Sequence, residues 1–226
     1  MATSGVITAS YTVGDVVTSA MRRLRILGKG ETPESDDMED GIERLGLMLK
    51  TWAVTGPKLF TRAEQSVTLV DGTQSYTLTT RPFSVQNVRL AVDGDERYPM
   101  TEWSRQDWDQ SPIKDSEGTP IIYVVDRQIS GTSLTLWPIP DIPSGEAWTL
   151  NVSYERVPYD VTASSETLDI PQEWHDCIID SLGYLLADEF GVSGDHVERM
   201  GARAAAMFTA LMGNEREGEI RFYTEA

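Results

Sequence analysis

The spacing of apolar residues changes period twice along the chain, and that double change limits the folds open to it. Val13, Val16, Val17, Ala20, Met21 and Leu24 recur at helical spacing up to Gly28, behind a Thr12 and Asp15 pair of capping type. After the turn-rich GKGETPES, Ser35 is expected to cap a second helix. Its stripe is Met38, Ile42, Leu45, Leu49 and Trp52, with Gly56 and Pro57 stopping it. Beyond Thr61 the period becomes two: Val67, Leu69, Tyr76 and Leu78 flank the turn signal DGTQ, which predicts a hairpin welded to the preceding helix.

Strand candidates continue through VQNVRLAV and RYPMTEW around a DGDE turn, then TPIIYVVD, TSLTLWPIP and AWTLNVSYERVP. Ser104 to Gly118 is polar and turn-rich, so a short helical turn and an exposed loop are expected there. Helical spacing then returns. In IPQEWHDCIIDSLGYLLADEFG, Pro171 suits a first turn and Trp174, Ile178, Leu182, Leu185, Leu186 and Phe190 share a core face. A last helix from about Asp195 carries Val197, Met200, Ala204, Met207, Phe208 and Leu211, and its ARAAA run permits close helix approach.

Each helix has one apolar stripe to bury, so the first pair and the last pair must pack on each other. The expectation is an α+β fold: a helical bundle of N- and C-terminal helices with an inserted antiparallel β-sheet or sandwich unit. Its parts are residues 1–62 and 159–213 for the bundle, 63–158 for the β unit, and 214–226 as a flexible docking tail.

Composition narrows the function. The chain has 226 residues, 40% of them hydrophobic, enough for a real core, and its apolar runs fall far short of the roughly 20 residues of a membrane span. With no secretory pattern at its start, it reads as a soluble protein made in the cytoplasm, with no membrane partner. Its single cysteine, Cys177, and two histidines, His175 and His196, give no internal disulfide and no zinc ligand set. Net charge is -17, which opposes continuous contact with a phosphate backbone. The acidity lies downstream: residues 159–226 hold 4 basic and 14 acidic side chains, and no Lys or Arg occurs between Arg156 and Arg199. Such a run is ordinarily a solvated face.

Searches for chemistry find little. No phosphate loop, dinucleotide fingerprint or nucleophile elbow occurs, and no cofactor is expected. His175 and Cys177 flank Asp176, but neighbouring helical residues point about 100° apart, so a packed Cys177 and a surface His175 are the simpler reading. Glu102 with Asp107 or Asp109, near Trp103 and Trp108, could imitate a glycosidase pair in an aromatic groove, yet such pairs arise by chance among 36 acidic residues.

Three features resemble one family. LKTWAVTG followed by KLFTRAEQSVTLVDGTQSYTL is similar to a helix-to-hairpin passage, and IPQEWHDCIIDSLGYLLADEFG to a proline and tryptophan helix entry. The third is the order helices, β domain, helices, from Tyr11 to about Gly213. The chain resembles the head-to-tail adaptor, or connector, proteins of tailed bacteriophages, including tail-tubular and packaged-DNA-stabilising proteins of short-tailed phages. Phe60 stands where tryptophan is more usual in that family.

The resemblance implies a non-enzymatic virion protein of the head-tail neck, present in host cytoplasm during assembly. It implies a homo-oligomeric, dodecameric ring under the portal protein, facing a tail or tail-tube protein, with genomic DNA passing through unbound. Trp52, Gly56, Leu59, Phe60 and Arg62 are then the helix-to-hairpin junction that orients bundle and β unit. Ile220, Arg221, Phe222 and Tyr223 are the portal-docking tail. Glu173, Asp176 and Asp180, spaced three and four apart, become candidates for a channel-facing acidic stripe that repels DNA. Another tail, baseplate or receptor-binding part, or a cell-wall glycosidase, remains open as an alternative.

Overall fold

The computed structural model describes residues 11–55, 61–80, 82–128 and 131–214. In chain order come helices α1 (Val13–Leu24) and α2 (Ser35–Thr55), then strands β1 (Arg62–Thr68), β2 (Ser75–Leu78), β3 (Pro82–Val92), β4 (Asp95–Pro99) and β5 (Thr101–Glu102). Helix α3 (Arg105–Gln110) leads to β6 (Glu117–Gly118), β7 (Ile122–Gln128), β8 (Gly131–Trp137), β9 (Ile139–Pro140) and β10 (Trp148–Arg156). A 3-10 turn (Gln172–Trp174) opens α4 (His175–Glu189), and α5 (Asp195–Asn214) follows. The chain is therefore α+β, with a β unit between two helical pairs. It divides into two compact units, Met1–Phe60 with Pro158–Ala226, and Thr61–Val157.

In the helical unit the start of α1 is closed at both levels expected of a capped helix. The Asp15 amide donates to Thr12 Oγ1 at 3.1 Å and the Thr12 amide donates to Asp15 Oδ2 at 3.0 Å. The amides of Val13 and Gly14, which no helical carbonyl can satisfy, donate instead to the carbonyls of Glu166 and Ser164 at 2.8 and 2.9 Å. Ser35 does not precede α2 as expected: it is its first residue, and the Met38 amide bonds the Glu34 carbonyl one step earlier.

Val13, Val16, Val17, Ala20, Met21 and Leu24 are all within 1% of full burial, against Ile42, Leu45, Met48 and Leu49 of α2 and Ile178, Leu182 and Leu186 of α4. Each of the Val, Leu, Ile and Met side chains among them is worth roughly 1.5–3 kcal/mol on leaving water. Close approach relies on glycine. A Cβ on Gly41 would lie 2.4 Å from Val17 Cγ1, and one on Gly183 would lie 3.2 Å from both the Ala20 carbonyl and Met200 Sδ. The first and last helical pairs thus share one core, as their single stripes require.

In the β unit, two four-stranded sheets run in the orders β1-β10-β3-β4 and β2-β8-β7-β5, with a small parallel pair β6-β9. Alternation builds the core: Thr132, Leu134 and Leu136 of β8 point one way and are buried, as do Leu150 and Val152 of β10. Asp93 and Gly94, both at positive φ, make the tight turn between β3 and β4.

The DGTQ segment is not a hairpin. β1 pairs with β10 and β2 with β8, so the chain crosses from one sheet to the other at this turn. The Tyr76 hydroxyl fastens the crossing, donating to the Val70 carbonyl and accepting from its amide, both at 3.0 Å. The polar stretch after Ser104 holds the expected short helical turn, α3, with a Ser104–Asp107 capping box, but it also buries Trp108, with Lys114 Nζ 5.6 Å from that ring.

Candidate assembly site of the helical unit

The helical unit concentrates its charged chemistry where α1, α4 and α5 meet. Arg23 sits in the last turn of α1, between the buried Ala20, Met21 and Leu24, and is aimed at α4. Its Nη1 donates to Asp180 Oδ1 at 2.5 Å and its Nη2 to Asp176. From α5, Arg203 grips Asp180 in bidentate fashion, Nη2 donating to Oδ1 at 2.5 Å and Nε to Oδ2. Burial alone would raise the Asp180 carboxyl, but the hydrogen bonds from Arg203 and Arg23 outweigh it and hold that carboxyl below its ordinary value. The Arg23 carbonyl accepts from His196 Nε2 at 2.6 Å, tying the start of α5 to the end of α1.

This arrangement corrects the acidic stripe. Glu173 and Asp176 are exposed, but Asp180 is fully buried between two guanidiniums and presents nothing to a channel. Spacing of three and four correctly places the acids near one another; it cannot reveal that arginines from two other helices claim one of them. The signal available in the sequence was Arg23 inside an apolar stripe and Arg203 inside ARAAA.

Above this network lies a cleft of about 570 Å³ lined by Arg23, His196, Arg199, Met200 and Arg203, with no acidic residue in its lining. Arg199 is exposed and has no ion pair or hydrogen bond among the described residues.

Trp52 belongs to the bundle rather than standing at a bare junction. Its ring meets Phe208 of α5 at 5.0 Å and Trp174 at 5.9 Å, and those two meet at 5.5 Å, all edge to face. Arg62 is the first residue of β1, in register with Glu155 of β10. Gly56, Leu59 and Phe60, and the docking-tail residues Ile220, Arg221, Phe222 and Tyr223, lie outside the described residues.

The groups weighed for catalysis are engaged locally. His175 is buried, not on the surface, with its ring edge-on to Tyr11 at 5.3 Å and neither nitrogen hydrogen-bonded. Burial holds its imidazole below the usual value, against the pull of Glu173. Burial also pushes the Cys177 thiol up to about 11, and its Sγ donates to the Ala204 carbonyl at 3.6 Å. Asp107 is consumed by the α3 cap, Asp109 pairs with Arg105 at 3.6 Å, and Glu102 accepts from the Tyr123 hydroxyl at 3.5 Å. Among the described residues no three His, Cys, Asp or Glu side chains converge on a metal position, and no helix is long and apolar enough to cross a membrane.

A two-unit α+β chain whose polar side chains serve packing, capping and ion pairing has the character of a structural module. The chain matches the family model described as SU10 adaptor protein over residues 11–224, and so belongs to the SU10 adaptor protein family. Its role is that of a phage adaptor, a structural one. No curated protein matches it closely enough to stand as a relative.

Proposed function

We propose that the chain assembles as a dodecameric ring between the portal protein and the tail of a phage virion, helping to close the capsid exit after packaging. In this reading the helical unit builds the ring wall, and the β unit meets neighbouring subunits or the tail or tail-tube protein. DNA leaves through the central channel without specific binding, kept off the wall by the net charge of -17. Glu173, the exposed member of the acidic stripe outside the arginine network, is assigned to the channel, while Asp176, exposed but paired with Arg23, lies beside the arginine cleft. The tail beyond Gly213, with Ile220, Phe222 and Tyr223 as apolar anchors and Arg221 among them, docks on the portal.

The observation that carries this reading is the family match itself, which runs through both units and into the tail, from residue 11 to 224. The test is to mix purified chain with purified portal rings and size the products by mass photometry, with the chain alone as control. A stoichiometric portal-bound ring is expected, and deletion of residues 214–226 should weaken it. Failure to bind portal at any salt concentration would point instead to another tail or baseplate position.

A further inference from the structure

The helical unit carries two outward faces of opposite charge that its own fold keeps apart. One is the cleft lined by Arg23, Arg199 and Arg203. The other is an exposed stripe on α2, Asp36, Asp40 and Glu43, which continues at the same alternating spacing of four and three into Leu47, 52% exposed. None of the three acids has an ion pair among the described residues.

Helix geometry shows why these faces do not meet within one chain. α2 lies against α1 through Gly41 on Val17 and Met21. At about 100° per residue, Arg23 lies about 120–160° around α1 from those two residues, and the acidic stripe about 100–160° around α2 from Gly41. Both faces therefore point away from the α1–α2 contact. Of the three guanidinium charges in the cleft, Asp176 and Asp180 behind it offset two, which leaves roughly the charge of one cation. Such a site suits carboxylate side chains arriving singly better than a continuous phosphate backbone.

We propose that the arginine cleft of one copy receives the Asp36, Asp40 and Glu43 stripe of the next copy, Arg199 being the cation left open for it. The two faces differ, so the contact is head-to-tail, the kind that propagates around a ring instead of stopping at a two-fold dimer. This rests on the ring reading above and names the subunit contact that reading lacks.

The test uses full-length chains in sedimentation velocity at high concentration and low salt. R199E spoils the cleft and leaves the stripe intact; D36K with D40K spoils the stripe and leaves the cleft intact. Each variant alone should stay monomeric, with self-association at least on the order of tenfold weaker than in the wild type. Mixed together they should form a one-to-one complex and no larger species, because only one cleft and one stripe remain able to pair. All substituted positions are exposed, and unchanged melting curves confirm folding.

A mixture that stays monomeric, or an R199E chain that associates like the wild type, overturns the proposal. Wild-type chain that forms portal-bound rings unaffected by R199E overturns this contact while leaving the ring intact. Wild-type chain that never forms rings refutes the ring, and the variant mixture still decides the contact.

Discussion

The two units of this adaptor solve the same burial problem with opposite chain economy. The β unit, Thr61–Val157, is one uninterrupted segment whose strands pair with one another. The helical unit is assembled from two segments that the whole β unit separates in sequence, so its contacts close a very long loop. Its polar fastenings reflect this. Arg23 of the first segment reaches Asp176 and Asp180 of the second, and the first-turn amides of α1 use carbonyls of Ser164 and Glu166. In the β unit the fastenings run from short ones, such as Tyr76 to Val70 and the Ser104–Asp107 cap, to cross-strand ones such as Ser66 to Asn151 and Gln86 to Glu155, all within one continuous segment. A split unit needs directional links to specify which segment it joins; a continuous one can rely on strand register.

The largest effects should come from cutting each core separately. Leu182→Ala in the helical unit and Leu150→Ala in the β unit remove fully buried side chains, and each should cost about 2–5 kcal/mol in urea unfolding. Residues 61–157 expressed alone should fold with a cooperative transition, which circular dichroism can follow. Loss of that transition would show the β unit to be less self-contained than its continuity implies.

Asp180→Ala comes next, because it strands two guanidiniums at once. Loss of a buried partner ordinarily costs about 3–5 kcal/mol. Arg23 and Arg203 keep 31% and 56% of their side-chain surface exposed and can turn partly to water, so about 2–3 kcal/mol is expected. The same pair makes the unit acid-sensitive. The Asp180 carboxyl titrates lower when folded than when unfolded, so its contribution is complete above the unfolded value near 3.8 and is lost as pH falls through the lower folded value. Asp180→Asn should flatten that acid limb in a pH series of denaturation midpoints.

At the alkaline end Cys177 acts with the opposite sign. Its thiol ionises at 9.0 in the reference state and at about 11 when folded, so burying it neutral contributes stability below pH 9 that disappears on the way to 11. The loss should be of order 2 kcal/mol and absent in Cys177→Ala, read as the difference between the two alkaline unfolding series. Native protein should also react slowly with thiol reagents below that range.

The smallest effect compares the two capping boxes. Thr12→Ala and Ser104→Ala should each cost about 1 kcal/mol, measured by chemical denaturation. The first cap sits beside a link between distant chain segments, the Thr12–Thr167 bridge, but that link is made by backbone and survives the substitution, so the two costs should be similar.

Periodicity made the architecture legible. The stripes of α1, α2, α4 and α5 follow from burial on one side of a helix, and alternation in TSLTLW from burial on one face of a sheet. Pairing was not legible. DGTQ reverses the chain locally, but turn chemistry does not name partners, and β1 finds β10 across most of the unit. Burial of charge was hidden for the same reason. Asp180 looked like the exposed Asp176 one turn before it; Arg23 binds both, and the grip of Arg203 from α5 sets Asp180 apart. His175, polar and next to an exposed acid, gave no hint that Tyr11 covers it. The open cation Arg199 carried no motif; it becomes visible once the arginines around it prove to be spent on Asp176 and Asp180.

On the ring reading proposed above, the helical unit, sealed by its own ion pairs, is the part that assembles, and amide hydrogen exchange on the full chain, free and bound to portal rings, decides it. Slowed exchange is expected at the end of α1, in the first turns of α2 and in the first turns of α5. Slowing confined to the β unit, with these helical segments exchanging as in the free chain, would contradict it.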